Sequence, residues 1–301
     1  MGAFHAVEVD YDIQHMRKGV ERAMGSGAYG EVKPCTHFGT HKLRAVKRVQ
    51  KASWSTRSKV MNEISILQAV CGRNPYVIEF VEYFEEWSTI SLIFEFCSKG
   101  NVEDALAKGG LASSERAIAP LFWQLLNALG FLHAERIVHR DVKPPNMLLA
   151  DVSTLKLADF GSACFAHEML RAPEGTPAFF APEQYQLPRG RGYSVPVDVW
   201  AAGVSLFMLL FPGSHPFADE DVVDKQRIKG GEFSVGWLTS GRATDLLTWC
   251  LMPNPDQRIT AAQGLEHPWF AGYGLCTGSF AKPRPHKLIL DSHGNWRPTY
   301  R

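Results

Sequence analysis

The spacing of hydrophobic and polar positions changes character near residue 100. Before that point it is mostly strand-like. Residues 19–50 mix Gly turns with β-prone residues, which predicts a hairpin about a glycine-rich turn and then a third strand. Residues 57–70 place Val60, Ile64 and Leu67 at helical spacing. Residues 76–97 alternate apolar and polar twice around a turn at Glu85–Ser88, giving two further strands. From about residue 101 the period is helical. Ser113-Ser114-Glu115 precedes an apolar face of Ile118, Leu121, Phe122, Leu125, Leu126 and Leu129, so a capped helix is predicted over 113–134. The apolar run Val199–Phe211 is too short to span a bilayer and reads as a buried core helix. Residues 1–15 carry no strong pattern and read as a flexible leader. The tail from Ala271 is rich in Gly, Pro and basic residues around the apolar patch Leu288-Ile289-Leu290, and no structure is assigned to it.

The 301 residues are enough for two lobes, and 45% hydrophobic with 21% charged residues is ordinary globular composition. A net charge of +1 provides no global field toward nucleic acid or a membrane. The six cysteines, at 35, 71, 97, 164, 250 and 276, form no Cys-x-x-Cys pair, which argues against a zinc ribbon or a redox pair. That usage fits a reduced compartment, and no signal-peptide pattern opens the chain, so a cytoplasmic location, with or without the nucleus, is expected. The opening Met1-Gly2-Ala3-Phe4-His5-Ala6 lacks the hydroxyl residue of a myristoylation site.

A few strings carry chemistry. Gly25-Ser26-Gly27-Ala28-Tyr29-Gly30 is a loop whose backbone can approach phosphates and offer N–H donors. By itself it also fits a dinucleotide fold or an ordinary Gly-rich hairpin. The flanking strand–turn–strand pattern disfavours the dinucleotide fold, which needs strand–turn–helix and a βαβ unit. Ala45-Val46-Lys47 follows on a strand and Glu63 on the next helix. His139-Arg140-Asp141-Val142-Lys143-Pro144-Pro145-Asn146 is the most specific string. Asp159-Phe160-Gly161 comes after the strand-like Thr154–Ala158, and Gly175-Thr176-Pro177-Ala178-Phe179-Phe180-Ala181-Pro182-Glu183 follows.

In this order and at these separations, over about residues 18–270, the strings resemble the signature set of eukaryotic serine/threonine protein kinases. They are most similar to the calcium/calmodulin-dependent and calcium-dependent group. The resemblance implies an α+β, two-lobed fold. The small lobe, about 18–96, has an antiparallel sheet and one main helix; the large lobe, about 97–270, is mostly helical. Residues 1–17 would be a leader and 271–301 a tail. It implies transfer of the γ-phosphoryl of ATP, with Mg²⁺, to Ser/Thr hydroxyls of protein substrates.

By the same resemblance, Gly25, Gly27 and Gly30 cover the phosphates and Lys47, oriented by Glu63, pairs with them. Val32, Ala45 and Leu148 sandwich adenine, and Glu95 to Cys97 form the hinge behind the gatekeeper Phe94. Asp141 is the catalytic base, a role that typically contributes about 10²–10⁴-fold. Lys143 accompanies it, and Asn146 and Asp159 hold magnesium. Thr176 bonds the Asp141–Lys143 pair, Glu183 pairs with Arg258, and Asp198 braces the catalytic loop. Leu67, Phe80, His139 and Phe160 stack between the lobes. The alternative is a pseudokinase or scaffold module that kept the fold without the chemistry.

The chain departs from the pattern in several places. Between Ser162 and Thr176 there is no Ser, Thr or Tyr, although Arg140, which often holds a loop phosphate in this family, is present. Glu168 or Glu174 is expected to supply the negative charge, and activity is expected not to need activation-loop phosphorylation. Pro145 and Asn101 stand where relatives that select substrate arginines carry Glu, with Glu103 or Asp104 as the compensating candidates. Nothing matches the spacing of an EF-hand loop. The stretch Lys282–Leu290 is basic and apolar, a candidate contact for a regulatory partner, but its prolines argue against a calmodulin-binding helix. Tyr29 reads as a lid aromatic over the phosphates.

Overall fold

The computed structural model describes residues 10–13, 26–27, 30–187, 191–219, 222–235, 239–276, 288–290 and 296–298. Gly25 and Tyr29 lie outside these residues, as does the Lys282–His286 part of the tail.

The N-terminal part is an antiparallel sheet with one long helix. Its strands are β1 (Tyr11–Asp12), β2 (Ser26–Gly27), β3 (Gly30–His37), β4 (Leu43–Gln50), β5 (Phe80–Glu85) and β6 (Thr89–Glu95), in the order β1-β3-β4-β6-β5 with β2 also on β3. Helix α1 (Trp54–Val70) begins three residues before the predicted start because Ser53 caps it, accepting from the Thr56 N–H. Its Val60, Ile64 and Leu67 are buried, as the spacing predicts.

The leader is not structureless throughout. Tyr11 pairs with His37 in β1, is 1% exposed, and donates its hydroxyl to Glu82 at 2.6 Å. It packs edge-on against His37 and Phe84 and belongs to a small core with Cys35, Val46 and Ile93 on the sheet face away from α1. Two residues are too short to leave a period in the sequence; one buried aromatic suffices to pin them.

The C-terminal part is mostly helical: α2 (Val102–Ala107), α3 (Glu115–Ala134), α4 (Pro196–Leu210), α5 (Lys225–Gly230), α6 (Gly241–Cys250), α7 (Ala261–Leu265) and α8 (Pro268–Ala271). Ser114 caps α3, as the Ser-Ser-Glu signal predicts. By length and hydropathy α3 would suffice to cross a membrane, but it is the central core helix, with Ile118, Leu121, Phe122, Leu125 and Leu129 fully buried. α4 is mostly apolar and mostly buried, with Asp198 and Ser205 its polar residues. At Gly203 a side chain would collide with Cys250 and Leu251, so α4 and α6 pack more closely than any larger residue permits.

Short pairs β7 (Ile137–Val138) with β10 (Cys164–Phe165), and β8 (Met147–Leu149) with β9 (Leu155–Leu157), frame the loops between the two parts. A further pair, β11 (Ala218–Asp219) with β12 (Val222–Val223), precedes α5. In the tail, β13 (Leu288–Leu290) pairs with β14 (Trp296–Pro298), so the apolar patch left unassigned from sequence is half of a hairpin.

Candidate active site

Three of the candidate residues meet where the sheet faces the helical part. Lys47 is on β4 and Glu63 on α1; Asp159 follows β9. The Lys47 ammonium lies 2.8 Å from Glu63 Oε1 and 2.9 Å from Asp159 Oδ1. Lys47 and Glu63 are 5% and 3% exposed, so the lysine is not a surface cation. Burial disfavours its charge, but the two carboxylates outweigh burial and hold its pKa above the ordinary value. Burial pushes the Glu63 carboxyl up more than Lys47 draws it down. Asp159 feels burial too, yet Lys47 holds it below the usual carboxylate range. The cluster has one carboxylate more than it has cations, with Lys47 bridging the two.

The catalytic-loop string follows β7. His139 and Arg140 donate their backbone N–H groups, each at 2.8 Å, to the two oxygens of Asp198. His133 reaches Asp198 Oδ2 at 3.0 Å. Asp198 is completely buried, and although burial favours its neutral form, these donors keep its pKa below the usual carboxylate range. They also pin Arg140 at φ 67°, a left-handed backbone that non-Gly residues rarely adopt. Asp159 is likewise left-handed, at φ 62°.

Both oxygens of Asp141 are occupied. Oδ1 accepts from the Thr176 hydroxyl at 2.7 Å and backbone N–H at 2.9 Å. Oδ2 lies 2.9 Å from Lys143 Nζ and 3.1 Å from Asn146 Nδ2. Lys143 also donates to Thr176 Oγ1 at 2.7 Å. Gly175, at φ 103°, allows this approach; a Cβ there would run into the Arg140 carbonyl.

The remaining candidates border the connection between the two parts. Ala45 is buried and pairs with Phe94 across β4 and β6, and Phe94 packs edge-on against Phe80. Leu148 bridges to Asn101, beyond the Glu95–Cys97 segment. Val32 pairs with Lys47. Glu95 is held by Lys156 at 2.8 Å, and Cys97 is buried. Gly27 pairs with Gly30 at the glycine-rich turn. Leu67, Phe80, His139 and Phe160 are all buried, with the His139 and Phe160 rings 4.9 Å apart. Glu183 and Arg258 form a two-pronged pair at 2.8 and 2.9 Å, with the Arg258 side chain sealed from solvent.

The expected role of Glu168 or Glu174 toward Arg140 is not what the geometry gives. Arg140 donates to the Ser162 carbonyl and reaches the Tyr193 hydroxyl at 3.5 Å. Glu174 instead lies 3.6 Å from Lys59 on α1. Sequence reading missed Tyr193: it is 1% exposed, gives its hydroxyl to Ala172 at 2.7 Å, and exchanges backbone bonds with Leu170. A lone Tyr after Gly190-Arg191-Gly192 carries no periodic signal. Asn101, noted as a lost carboxylate, caps α2 by accepting from the Asp104 N–H at 2.7 Å, while Asp104 is paired with Lys108.

A protein kinase domain model matches residues 19–270. The chain belongs to the protein kinase domain family. It is 35% identical over 274 residues to the liver/testis phosphorylase b kinase gamma catalytic chain of Mus musculus, covering 85% of this chain and 66% of that one. It is 35% identical over 266 residues to the calcium/calmodulin-dependent protein kinase type I of Schizosaccharomyces pombe, covering 84% of this chain and 78% of that protein. The serine/threonine-protein kinase DCLK1 of Rattus norvegicus is 33% identical over 267 residues, 85% of this chain and 60% of that protein. The chain thus spans a little under two thirds of the length of some of these relatives. The fold is that of the protein kinase family.

Proposed function

We propose that the protein transfers the γ-phosphoryl of ATP to Ser or Thr hydroxyls of protein substrates in a magnesium-dependent reaction. The observation that carries this reading is Lys47 bridging Glu63 and Asp159 at 2.8 and 2.9 Å, which joins the sheet, the long helix and the large lobe in one ion cluster. A scaffold without chemistry would have no use for that arrangement beside an oriented Asp141.

The donor set fits magnesium. Asn146 spends its amide nitrogen on Asp141, at 2.8 Å to the main chain and 3.1 Å to the side chain, which leaves its oxygen as the ligand atom. Asp159 uses Oδ1 on Lys47, which leaves Oδ2. Among the described residues no cluster of three or more His, Cys, Asp or Glu would hold a metal alone. Magnesium needs none, since it takes one or two protein oxygens and completes its shell with phosphate and water. Bound there, it neutralises charge on the phosphate oxygens.

Lys47 would hold the α- and β-phosphates. Asp141 would accept the acceptor hydroxyl's proton as its oxygen attacks the γ-phosphorus and the bond to the β-phosphate oxygen breaks, releasing ADP. Lys143 would neutralise the transferring group. Catalysis comes mainly from positioning and electrostatics. Ala45 and Leu148 border the adenine position, and Glu95–Cys97 supply the hinge.

Selection for an upstream arginine should be weak. Pro145 brings no charge, Asn101 is spent on its cap and Asp104 on Lys108, which leaves the exposed Glu103 of α2 as the remaining compensating carboxylate. We place the protein in the cytoplasm, with the C-terminal tail as the contact for a regulatory partner. The test is ATP–Mg²⁺-dependent transfer onto a Ser/Thr/Tyr peptide array beside Asp159→Asn. Ser/Thr transfer lost in the variant supports the reading. A folded chain that binds ATP and transfers nothing, with or without the tail, overturns it.

A further inference from the structure

His215 lies in the loop after α4 and touches the segment that follows Thr176. Its Nε2 is 2.9 Å from the Ala178 carbonyl, and its Nδ1 accepts the Phe217 N–H at 3.1 Å. A backbone N–H can only donate and a carbonyl can only accept. The two partners therefore fix the ring as neutral, with its single proton on Nε2. The ring also lies edge-on to Phe179 at 6.5 Å and packs against Phe217 at 6.3 Å. Phe217 in turn stacks on the buried Trp200 of α4 at 5.2 Å. The carbonyl held this way is two residues past Thr176, which grips Asp141.

We infer that His215 is a positioning residue for the protein substrate: through the Ala178 carbonyl it fixes the Gly175–Glu183 segment, which on the kinase reading is the peptide-docking loop, and so sets peptide affinity without touching the nucleotide site. This rests on the kinase reading above. A second proton, on Nδ1, would cost the Phe217 bond but leave the Nε2–H bond to Ala178 in place. Among the described residues, Ala178 and Phe179 face the ring from the docking segment and Phe217 packs against it from its own loop. The charged group acting on it is Arg227 of α5, which donates to the Pro216 carbonyl at 3.0 Å. Burial first and Arg227 second hold the imidazole below its ordinary value, against the bond to Ala178. The neutral ring is therefore the resident form at neutral pH, and the bond to Ala178 is available in either protonation state.

The experiment measures KM for peptide, KM for ATP, and kcat in the full chain and in two variants. His215→Gln places an amide N–H near the Nε2 position. His215→Asn keeps an acceptor for Phe217 but cannot reach Ala178. The expected result for His215→Asn is a rise of about 3- to 10-fold in peptide KM, the worth of one hydrogen bond, with kcat and ATP KM nearly unchanged. His215→Gln, which keeps a donor for Ala178, should stay near the parent. If His215→Asn fails to fold, His215→Phe, which keeps a ring but has no donor for Ala178, is read in its place. An active parent whose peptide KM is unmoved by loss of that donor overturns the inference and leaves the kinase reading intact. So does an equal loss in ATP KM, kcat and melting temperature. A parent that phosphorylates no peptide at all overturns both.

Discussion

Thr176 places two hydrogen bonds on a single oxygen of Asp141, one from its hydroxyl at 2.7 Å and one from its backbone at 2.9 Å. With Lys143 and Asn146 on the other oxygen, the carboxylate has no freedom to rotate. The docking segment and the catalytic loop are thereby a single unit: wherever Thr176 goes, the orientation of Asp141 follows.

Thr176→Val should therefore act on turnover. It keeps the backbone donor and the side-chain shape and removes the hydroxyl. A hydrogen bond to a charged group is worth about 1.5–3 kcal/mol, so kcat should fall by about 10- to 100-fold. Thr176→Ser should recover most of it. Steady-state kinetics at saturating ATP check this, and equal activity of Val and Ser variants would contradict it.

Lys47→Met should cost more. It removes the cation at the phosphates and leaves the buried Glu63 and the partly buried Asp159 without their shared partner. Loss of one preorganised electrostatic group typically lowers kcat by about 10²–10³-fold. Glu63→Gln should lose less, because the amide oxygen still accepts from Lys47. Asp159→Asn should weaken the magnesium dependence itself, measured as the metal concentration at half-maximal rate.

The catalytic strings were legible because each role needs a fixed residue type at a fixed separation. Lys47, Glu63 and Asp159 meet through pairings and caps that also leave periods, such as β4 with β6 and the Ser53 cap of α1, while Asp141 is held apart from them by Thr176, Lys143 and Asn146. What escaped were contacts made by single residues from irregular segments. Tyr11 is buried by two residues of strand, Tyr193 by an isolated bridge, and His215 by a loop. Each has an apolar residue at i+2, Ile13, Val195 or Phe217, but one such step in an irregular segment does not make a period. Arg140 shows the other limit: its charge was read correctly as needing a partner, but a carbonyl and a phenol serve in place of a carboxylate.

Glu115 at the start of α3 is a structural counterpart to the active site. It accepts from the Ser240 backbone and hydroxyl, the Trp269 indole and the Tyr273 hydroxyl, tying three segments together. Burial alone would raise its pKa, but these donors hold it below the ordinary value of 4.5. A carboxylate depressed in the folded state adds stability that is complete above its unfolded pKa and is lost as pH falls through the lower folded one. Glu115→Gln should cost about 1–3 kcal/mol at neutral pH. The gap between parent and variant should close in acid, below the ordinary carboxylate range. Denaturant titrations at several pH values test this, and a gap that persists unchanged into acid would count against it.

The activation segment should hold its shape without a phosphate. It has no hydroxyl residue between Ser162 and Thr176, and the described contacts explain how it is ordered regardless. β10 pairs with β7, Leu170 exchanges two backbone bonds with Tyr193, and the Tyr193 hydroxyl bonds Ala172. Arg140 is satisfied by Ser162 and Tyr193. The Glu174–Lys59 pair, at 3.6 Å with the lysine more than half exposed, adds little, since pairs of this kind are worth about 0–1 kcal/mol. Exhaustive phosphatase treatment should thus leave the rate nearly unchanged, whereas Tyr193→Phe, which strands the Ala172 carbonyl, should cost about 1 kcal/mol of local order. Hydrogen exchange over residues 166–176 should quicken in that variant and not after phosphatase treatment. If the phosphatase instead abolished activity through a site in this segment, the strut from Tyr193 would not be what orders it.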